Sequence, residues 1–515
     1  MTRTHRFLGG VWLGYVSLVL ATVVGLWLTP LLLARVGSHD YGLWLITTQI
    51  LGYLMLLDLG VVALAPRETA YATGRTIQGE ADDTPLIFAR FRSIVRWQVV
   101  PTAVVCAAAW WAVTSRWPEI RAPLGMILAA FVVAFPFRLF HATLQGLQDL
   151  PYLSKVQLAS WSVGTIVTVG LILANVGLMS LAAGWVVNQT ISACACALRM
   201  RNRFDRIWNA DPATPSMREA RGLLTRAGWV SLAQIGHVFL NGSDVLVLGA
   251  ILGPAAAVPY ACTGKLISVL ANHPQLLMQA AAPALAEMRT SARRDQLARV
   301  AMALTRAMLI VTGAVACFIL AANQTFVEWW VGPQQFAGIG LTMVLLAVMV
   351  CRHFATTMVY ALFSFGHERR LSLTAITDGV VTLVVTAWLA SFSNLGITSA
   401  AIGSLAGVGL ITIPMCAIAL ARELEVRLID LLLSVRGWAI RFAVAAAICY
   451  FGATVLDGYG VFSVAAIGAG AIIVYGALMW PLALEAPLGP YVRTVVTSAS
   501  AWLGRRAQLA VEPRA

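Results

Sequence analysis

Three basic residues lie deep within long apolar runs of this chain: Arg138, Lys265 and Arg352. Inside a membrane, a cation without a partner costs several kcal/mol, so each of them needs water, an acidic side chain or an anionic ligand. A guanidinium binds phosphate through two directed hydrogen bonds, and an ammonium binds it as a point charge. We therefore expect a hydrated cationic cavity for a phosphate-bearing ligand, in preference to buried ion pairs.

Further polar side chains follow at steps of three and four residues in the same runs. At about 100° per residue, such steps keep side chains on one face of a helix. For the uncharged members, the alternative is a set of polar contacts between packed helices, worth about 0.6–2 kcal/mol each. The residues that we assign to a substrate-binding cavity are Arg138, His141, Gln145, His237, Asn241, Lys265, Asn272, Gln275 and Arg352. Pro274 interrupts one of these stripes and predicts a helix bend there.

The same runs contain three acids, Asp58, Asp244 and Asp378, which could take up H⁺ or Na⁺ for ion coupling. Two of them have simpler alternatives. Asp244 could pair with Lys265, and Asp58 could meet Arg67 or water. The sequence alone leaves these alternatives open.

Metal, cofactor and nucleophile chemistry have no recognisable motif. Cys194 and Cys196 have no further ligands at metal-site spacing, and the eight cysteines all lie in apolar stretches. We therefore expect no metal, no cofactor and no disulfide framework.

The elements that hold these residues must be membrane-spanning helices. Hydrophobic residues make up 59% of the 515 residues and charged residues 11%, whereas soluble domains average about 25% charged residues. Apolar runs of about 20 residues, the length of a transmembrane helix, recur along the chain. The composition excludes large soluble domains and predicts an all-α polytopic membrane protein with about 14 transmembrane helices.

The basic residues give the expected orientation. With the N-terminus placed in the cytoplasm, all but six of the 36 Lys and Arg residues fall in cytoplasmic segments, as the positive-inside rule requires. The C-terminus is then cytoplasmic as well. The net charge of +13 faces anionic lipid and the cytoplasm, and so does not indicate a nucleic-acid partner.

The two halves of the chain are similar to each other. Residues 175–184 and 394–403 share Asn, Gly, Ser, Ala and Gly at an offset of 219 positions, which also pairs Tyr41 with Tyr260. An offset of six spans preserves helix direction, which predicts two parallel repeats around a central cavity, as in transporters. The expected segments are an N-lobe with spans 1–6 (1–205), a cytoplasmic linker (206–227), a C-lobe with spans 7–12 (228–430), two extra spans 13–14 (431–483) and a cytoplasmic basic tail (484–515).

Motifs along the chain resemble, in their order, the multidrug/oligosaccharidyl-lipid/polysaccharide (MOP) exporter superfamily. They are Leu56-Leu-Asp-Leu-Gly60, then Asp244-Val-Leu-Val-Leu-Gly249 followed by Tyr260 and Lys265, and Trp330-Val-Gly-Pro333. The resemblance covers about residues 1–430. Within the superfamily, the chain most resembles bacterial flippases for polysaccharide repeat units.

This resemblance implies a flippase of the bacterial inner membrane that moves undecaprenyl-diphosphate-linked oligosaccharide from the cytoplasmic to the outer leaflet by alternating access. The product would serve O-antigen, capsule or exopolysaccharide synthesis. Coupling to H⁺ or Na⁺ is implied too. The implied partners are the lipid-linked glycan, membrane lipids, and the polymerase and glycosyltransferases of the same pathway.

Three other functions remain as alternatives. A peptidoglycan-precursor flippase would carry basic residues in its first span, where this chain has none before Arg35. A multidrug antiporter for organic cations would favour an acidic cavity. A membrane-bound polysaccharide polymerase or ligase would need a sizeable external loop for catalytic groups, and the expected external loops are short. We therefore expect a transporter and not an enzyme.

Overall fold

A computed structural model describes residues 3–77, 81–210, 217–275, 294–455 and 460–485, together with residues 277, 278, 281, 285, 288, 488, 489 and 493. The chain divides into two compact units, Met1–Val258 and Pro259–Ala515. Helices dominate both units, because backbone N–H and C=O groups inside lipid must be satisfied within the segment itself.

The first unit is built from ten helices among the described residues. Most of their connections are short. The helices are α1 (Arg3–Val36), α2 (Ser38–Leu54), α3 (Val61–Ile77), α4 (Thr84–Thr114), α5 (Arg121–Ala134), α6 (Arg138–Gly146), α7 (Leu150–Leu173), α8 (Met179–Arg203), α9 (Asp205–Trp208) and α10 (Met217–Leu252).

Helix α11 (Pro254–Thr263) contains the boundary between the units. The described helices that follow are α12 (Lys265–Leu270), α13 (Arg294–Val331), α14 (Ile339–Ser364), α15 (Glu368–Phe392), α16 (Thr398–Gly407), α17 (Ile413–Leu424), α18 (Leu428–Leu433), α19 (Arg436–Val455) and α20 (Val461–Leu484).

The described residues contain 11 helices that are long and apolar enough to cross a membrane, or up to 14 if each of three bent pairs counts as one span. The predicted all-α polytopic fold with about 14 spans is thus confirmed. The bends lie between α2 and α3 (53°), within α10 (50°) and between α11 and α12 (55°). The last bend falls at Gly264, ten residues before Pro274, where we predicted it.

The bend between α2 and α3 is set by a local change of backbone direction. A 3-10 turn, Met55–Asp58, ends α2, and Leu59 and Gly60 then take left-handed conformations with φ of 49° and 73°. A side chain at Gly60 would also clash with the Ala227 carbonyl and Ser231 of α10. Only glycine therefore combines this backbone with the close approach of α10.

The two units share a packing contact that supports the internal repeat. In the first unit, Gly184 of α8 lies directly against Thr168 of α7, and in the second unit Gly403 of α16 lies against Thr386 of α15. Gly184 and Gly403 are separated by the same 219 positions as the repeated sequence. Small residues at such contacts let membrane helices approach closely.

The turns before these contacts also correspond. Gly177, between α7 and α8, has φ of 69°, and Gly396, between α15 and α16, has φ of 54°. Each glycine therefore reverses the chain in the same left-handed conformation, 219 positions apart.

The two C-terminal spans pack within the second unit. Helices α19 and α20 both contact α13. The Tyr475 hydroxyl of α20 donates a hydrogen bond to the Ile310 carbonyl of α13 (2.9 Å) and accepts one from Trp438 Nε1 of α19 (3.1 Å). This buried tyrosine joins all three helices.

The segment expected to be a linker, 206–227, is partly helical, because α10 begins at Met217. Residues 211–216 lie outside the described part. Helix α10 packs on α2 and α3 and so falls within the first unit, whereas the sequence assigned it to the second repeat.

We expect Gly184→Ala to lower the apparent melting temperature of the purified protein, because the added methyl group meets Thr168 and the Gly164 carbonyl. Overpacking of this kind costs about 1–3 kcal/mol. Gly170→Ala on α7 is the matched control, since nothing lies within 4 Å of a Cβ at that position. Equal melting temperatures for the two variants would contradict the close packing of α7 and α8.

Candidate functional site

Arg138 lies at the first position of α6, directly after a 3-10 turn within the span. The preceding 3-10 turn, Phe135–Phe137, contains Pro136, which has no N–H to continue an α-helix. The apolar helix α5 and the short helix α6 therefore form one span with a break in it. Arg138 lies within the candidate span Pro118–Gly146, in its second half.

Arg138 forms an ion pair with Asp58, at the end of the 3-10 turn after α2. Arg138 Nη2 lies 3.1 Å from Asp58 Oδ2, and the two side chains are 25% and 3% exposed. The Gly60 N–H donates to Asp58 Oδ1 (2.8 Å), and Gln98 Nε2 of α4 donates to the Asp58 carbonyl (3.1 Å). Gly60 thus holds the carboxylate of Asp58, and Gln98 holds the backbone of the same residue.

The hydrogen bond to Asp58 uses only one of the two terminal nitrogens of the Arg138 guanidinium. Arg138 Nη1 is buried and has no hydrogen-bond partner among the described residues. Buried donors in native proteins are nearly always satisfied, so such an atom requires an explanation, such as a ligand or water. Nη1 thus keeps its donor capacity while Nη2 is bound to Asp58.

The rest of α6 has one buried and one exposed face. The buried face is mainly apolar, with Leu139, Ala142 and Leu144, whereas His141 and Gln145 are exposed. Elsewhere the exposed residues of the spans are largely apolar, as lipid contact requires. His141 and Gln145 therefore give this face of α6 a polar exposed surface.

In the second unit, Arg352 of α14 pairs with Asp378 of α15. Arg352 Nη1 lies 3.1 Å from Asp378 Oδ2, and Nη2 lies 3.5 Å from Oδ1. The Asp378 side chain is 0% exposed and that of Arg352 is 24% exposed. This fork-to-fork geometry is the strongest form of ion pair between these two side-chain types.

Two hydroxyl groups complete the environment of Asp378. Thr382 Oγ1 donates to Oδ1 (3.1 Å), and Thr412 Oγ1 donates to Oδ2 (2.5 Å). Thr412 ends a π-helical segment, Val408–Thr412, and such segments occur frequently at functional sites. Gly407, just before it, lies directly against the carboxylate, where any side chain would clash.

Lys265 differs from the two arginines. Among the described residues of the second unit, no carboxylate lies within 4.0 Å of its ammonium group. It is half-buried at the start of α12, just after the bend at Gly264. Asn272 is exposed and Gln275 is half-buried, so part of this predicted stripe is accessible.

Three predicted site residues lie on α10. The side chains of His237 and Asn241 are outside the described part of the structure. The bend of α10 falls between Leu240 and Ser243 and so next to Asn241. Asp244 is half-buried directly after the bend.

The structure changes the charge distribution that we expected from the sequence. Two of the three intramembrane cations form the buried ion pairs that we considered the weaker alternative. The physical reason is the cost of an isolated charge in lipid, which an acidic partner lowers more directly than water does. Asp58 meets Arg138 and not Arg67.

Several residues around the two pairs were missed from the sequence. They are Gln98, Thr382 and Thr412, whose types are common in membrane helices as packing contacts. A usable signal was present in Gly403-Ser-Leu-Ala-Gly407, because glycines four apart mark the close approach of another helix. That other helix is α15, which contains Asp378.

The side chain of His353, beside Arg352, is buried and hydrogen-bonded within the second unit. It is 2% exposed, its Nδ1 lies 2.9 Å from Thr312 Oγ1 of α13, and it also interacts with the Ala271 carbonyl. In the described part of the chain, no cluster of three or more His, Cys, Asp or Glu side chains has the arrangement of a metal site.

The arrangement of helices is shared with solved transporters. An inward-facing multidrug resistance MATE family transporter of the MOP superfamily has a TM-score of 0.60 at 12% identity, covering 82% of this chain and 99% of its own. Lipid II flippase MurJ, in an inward closed conformation, has a TM-score of 0.58 at 8% identity, covering 92% and 99%. This chain has the same fold as these two proteins.

Two further comparisons bear on the MOP assignment. Residues 89–337 match the polysaccharide biosynthesis protein family. An outward-facing MATE family transporter of the MOP superfamily has a TM-score of 0.50 at 14% identity, covering 81% of this chain and 94% of its own. No curated protein matches by sequence. The resemblance drawn from the sequence motifs is confirmed, and the similar folds belong to transporters and a flippase.

A double-mutant cycle tests the pair in the first unit. Asp58→Asn leaves Arg138 as an uncompensated, largely buried charge, so we expect a loss of about 3 kcal/mol. Arg138→Gln should cost a similar amount, and the double variant should cost less than the sum. Thermal unfolding of the purified variants measures this.

The matched control is the exposed pair of Arg299 and Asp295, whose side chains are 59% and 50% exposed. Its cycle should give a coupling of about 0–1 kcal/mol. A coupling of that size for Asp58 and Arg138 would show that their pairing has no stabilising role.

Proposed function

We propose that this protein is a flippase for undecaprenyl-diphosphate-linked oligosaccharide repeat units in the bacterial inner membrane. It moves them from the cytoplasmic to the outer leaflet by alternating access, for the synthesis of a surface polysaccharide. The MOP fold and the match of residues 89–337 to polysaccharide biosynthesis proteins support this class of substrate.

The observation that carries the proposal is the incompletely bonded guanidinium of Arg138 at the end of an exposed polar helix face. The diphosphate is the part of such a substrate that needs cationic hydrogen-bond donors. Asp58 holds the guanidinium in one orientation, and Nη1 remains to donate to a phosphate oxygen. His141 and Gln145 continue this face and offer hydrogen bonds to sugar hydroxyl groups.

Lys265 supplies a positive charge in the second unit, where no described carboxylate lies within 4.0 Å of it. An ammonium group attracts phosphate without a fixed direction, so it tolerates movement of the substrate during transport. Exposed Asn272 and half-buried Gln275 offer polar contacts on the following turns.

Arg352 has a different role in this proposal. Asp378 accepts hydrogen bonds from Arg352, Thr382 and Thr412, so both oxygens of its carboxylate are occupied. A sodium ion would have to displace these donors, whereas a proton needs a single oxygen. We infer that Asp378 takes up a proton, which weakens the ion pair and frees Arg352 for the diphosphate.

The open donor also separates this function from multidrug export. An N–H donor such as Arg138 Nη1 binds a phosphate oxygen and not a cation, and Asp58, the acid beside it, is already paired. The membrane lipids, the polymerase and the glycosyltransferases of the glycan pathway are the partners that such a flippase requires.

We expect Arg138→Lys to reduce transport at least about tenfold. Lysine keeps the charge but not the fork that binds Asp58 and phosphate together, and a hydrogen bond to a charged group contributes about 1.5–3 kcal/mol. The measurement is the fraction of polyprenyl-linked glycan that an external carbohydrate probe can reach in cells.

Arg427→Lys is the control, since Arg427 is exposed between α17 and α18.

Cells without the protein should accumulate complete repeat units that the probe does not reach. Units that reach the outer face unpolymerised would instead identify a polymerase, and an unchanged glycan pool would refute the flippase.

Asp378→Asn tests the coupling. In vesicles containing the purified protein, an imposed proton gradient should accelerate transport by the original protein, and a sodium gradient should have no effect. The variant should lose its response to the proton gradient. Asp295→Asn, at an exposed position, should keep it. A proton response that survives in Asp378→Asn would exclude Asp378 as the coupling group.

A further inference from the structure

A cavity of about 540 Å³ opens in the second unit where α14 ends and α15 begins. Six residues line it: Gly366, His367, Arg369, Arg370, Leu373 and Met415. Two of them are arginines and one is a histidine, whereas Leu373 and Met415 are large and apolar. Neither Arg138 nor Arg352 belongs to this lining, so the cavity is separate from the site described above.

The polar part of the cavity favours an anion. Arg369 and Arg370 are exposed in the first turn of α15, where the helix dipole also attracts negative charge. His367 precedes the helix, and its Nε2 lies 3.1 Å from Glu423 Oε2 of α17. Glu423 is thus engaged by the histidine, and Glu368 is exposed in the same first turn of α15.

The apolar part of the cavity continues along the outside of α15. Leu373, Val380, Val384 and Trp388 are 48%, 45%, 56% and 60% exposed. Their spacing of seven, four and four residues places them on one helix face. Asp378 lies on another face and is buried, so the apolar stripe is directed away from the Arg352 pair.

Met415 of α17 adds a second apolar edge. It is 41% exposed, and Ile418, almost one turn further, is 40% exposed. Large exposed apolar side chains on a membrane helix face lipid. The cavity therefore lies where basic side chains at a helix end meet a surface in contact with acyl chains.

We propose that this cavity binds the phosphate of an anionic glycerophospholipid of the cytoplasmic leaflet, with Arg369 and Arg370 on the phosphate and an acyl chain along Leu373 and Val380. Basic pockets between transmembrane helices on the cytoplasmic side suit such head groups. The orientation is the one that the distribution of basic residues predicts. The proposal does not depend on which substrate is transported.

A soluble phosphate would use the arginines alone and gain nothing from the apolar stripe. A zwitterionic phospholipid would bring its own cation next to the arginines. An anionic phospholipid fits both parts of the cavity, and the cytoplasmic leaflet is rich in such lipids.

The experiment is a titration of the full-length protein in detergent with phosphatidylglycerol, followed by native mass spectrometry. Each arginine near an anionic head group contributes about a fivefold gain in affinity, so the double variant R369Q/R370Q should bind about 25-fold more weakly. R427Q/R436Q, with two exposed arginines outside the cavity, should bind as the original protein does. The double variant R369K/R370K keeps both charges and should lose much less.

A second variant, Leu373→Gln, tests the acyl contact at an exposed position that tolerates a polar side chain. It should weaken phosphatidylglycerol binding and leave the binding of inorganic phosphate unchanged. All variants are compared after size-exclusion chromatography has shown a single monodisperse species.

Three outcomes would overturn the proposal. The first is equal affinity of R369Q/R370Q and R427Q/R436Q for phosphatidylglycerol. The second is that R369Q/R370Q loses as much affinity for phosphatidylcholine as for phosphatidylglycerol. The third is that R369Q/R370Q loses binding of farnesyl diphosphate but not of phosphatidylglycerol. The last result would assign the cavity to the transported diphosphate. Transport by R369Q/R370Q is measured separately, so that failure of the lipid site and failure of the flippase function remain distinguishable.

Discussion

The cost of a charge inside the membrane determines how this molecule is arranged. Arg138 and Arg352 each lie within a span, and each is held by a carboxylate that is almost wholly buried. Both acids are held in turn by further hydrogen-bond donors. A 3-10 turn, a π-helical segment and a close glycine contact lie directly at these acids.

The two units have the same turns and the same glycine–threonine contacts, yet their ion pairs differ. Asp58 belongs to the turn after α2, whereas Asp378 belongs to α15, which corresponds to α7 in the first unit. The pair in the first unit is single and leaves Arg138 Nη1 unsatisfied among the described residues, whereas the pair in the second unit is bidentate. The two similar units thus contain one arginine–aspartate pair with an unsatisfied donor and one bidentate pair.

Much of the fold could be predicted from the sequence, because a membrane span needs a long apolar run and any charge inside one stands out. Arg138, Lys265 and Arg352 were identified in this way, as charges inside apolar runs. Their acidic partners were also recognised as intramembrane acids but could not be matched to them. Asp58 lies 80 residues from Arg138 in the sequence. The residues around Asp58 do not indicate whether its partner is Arg138 or Arg67, which lies on the next helix.

The unequal pairs have a mechanical consequence. Arg138 joins α6 to the point where α2 bends by 53° into α3. Arg352 joins α14 to α15, two continuous helices. Loss of the same arginine–aspartate contact would therefore act on a bend in the first unit and on the packing of two unbroken helices in the second.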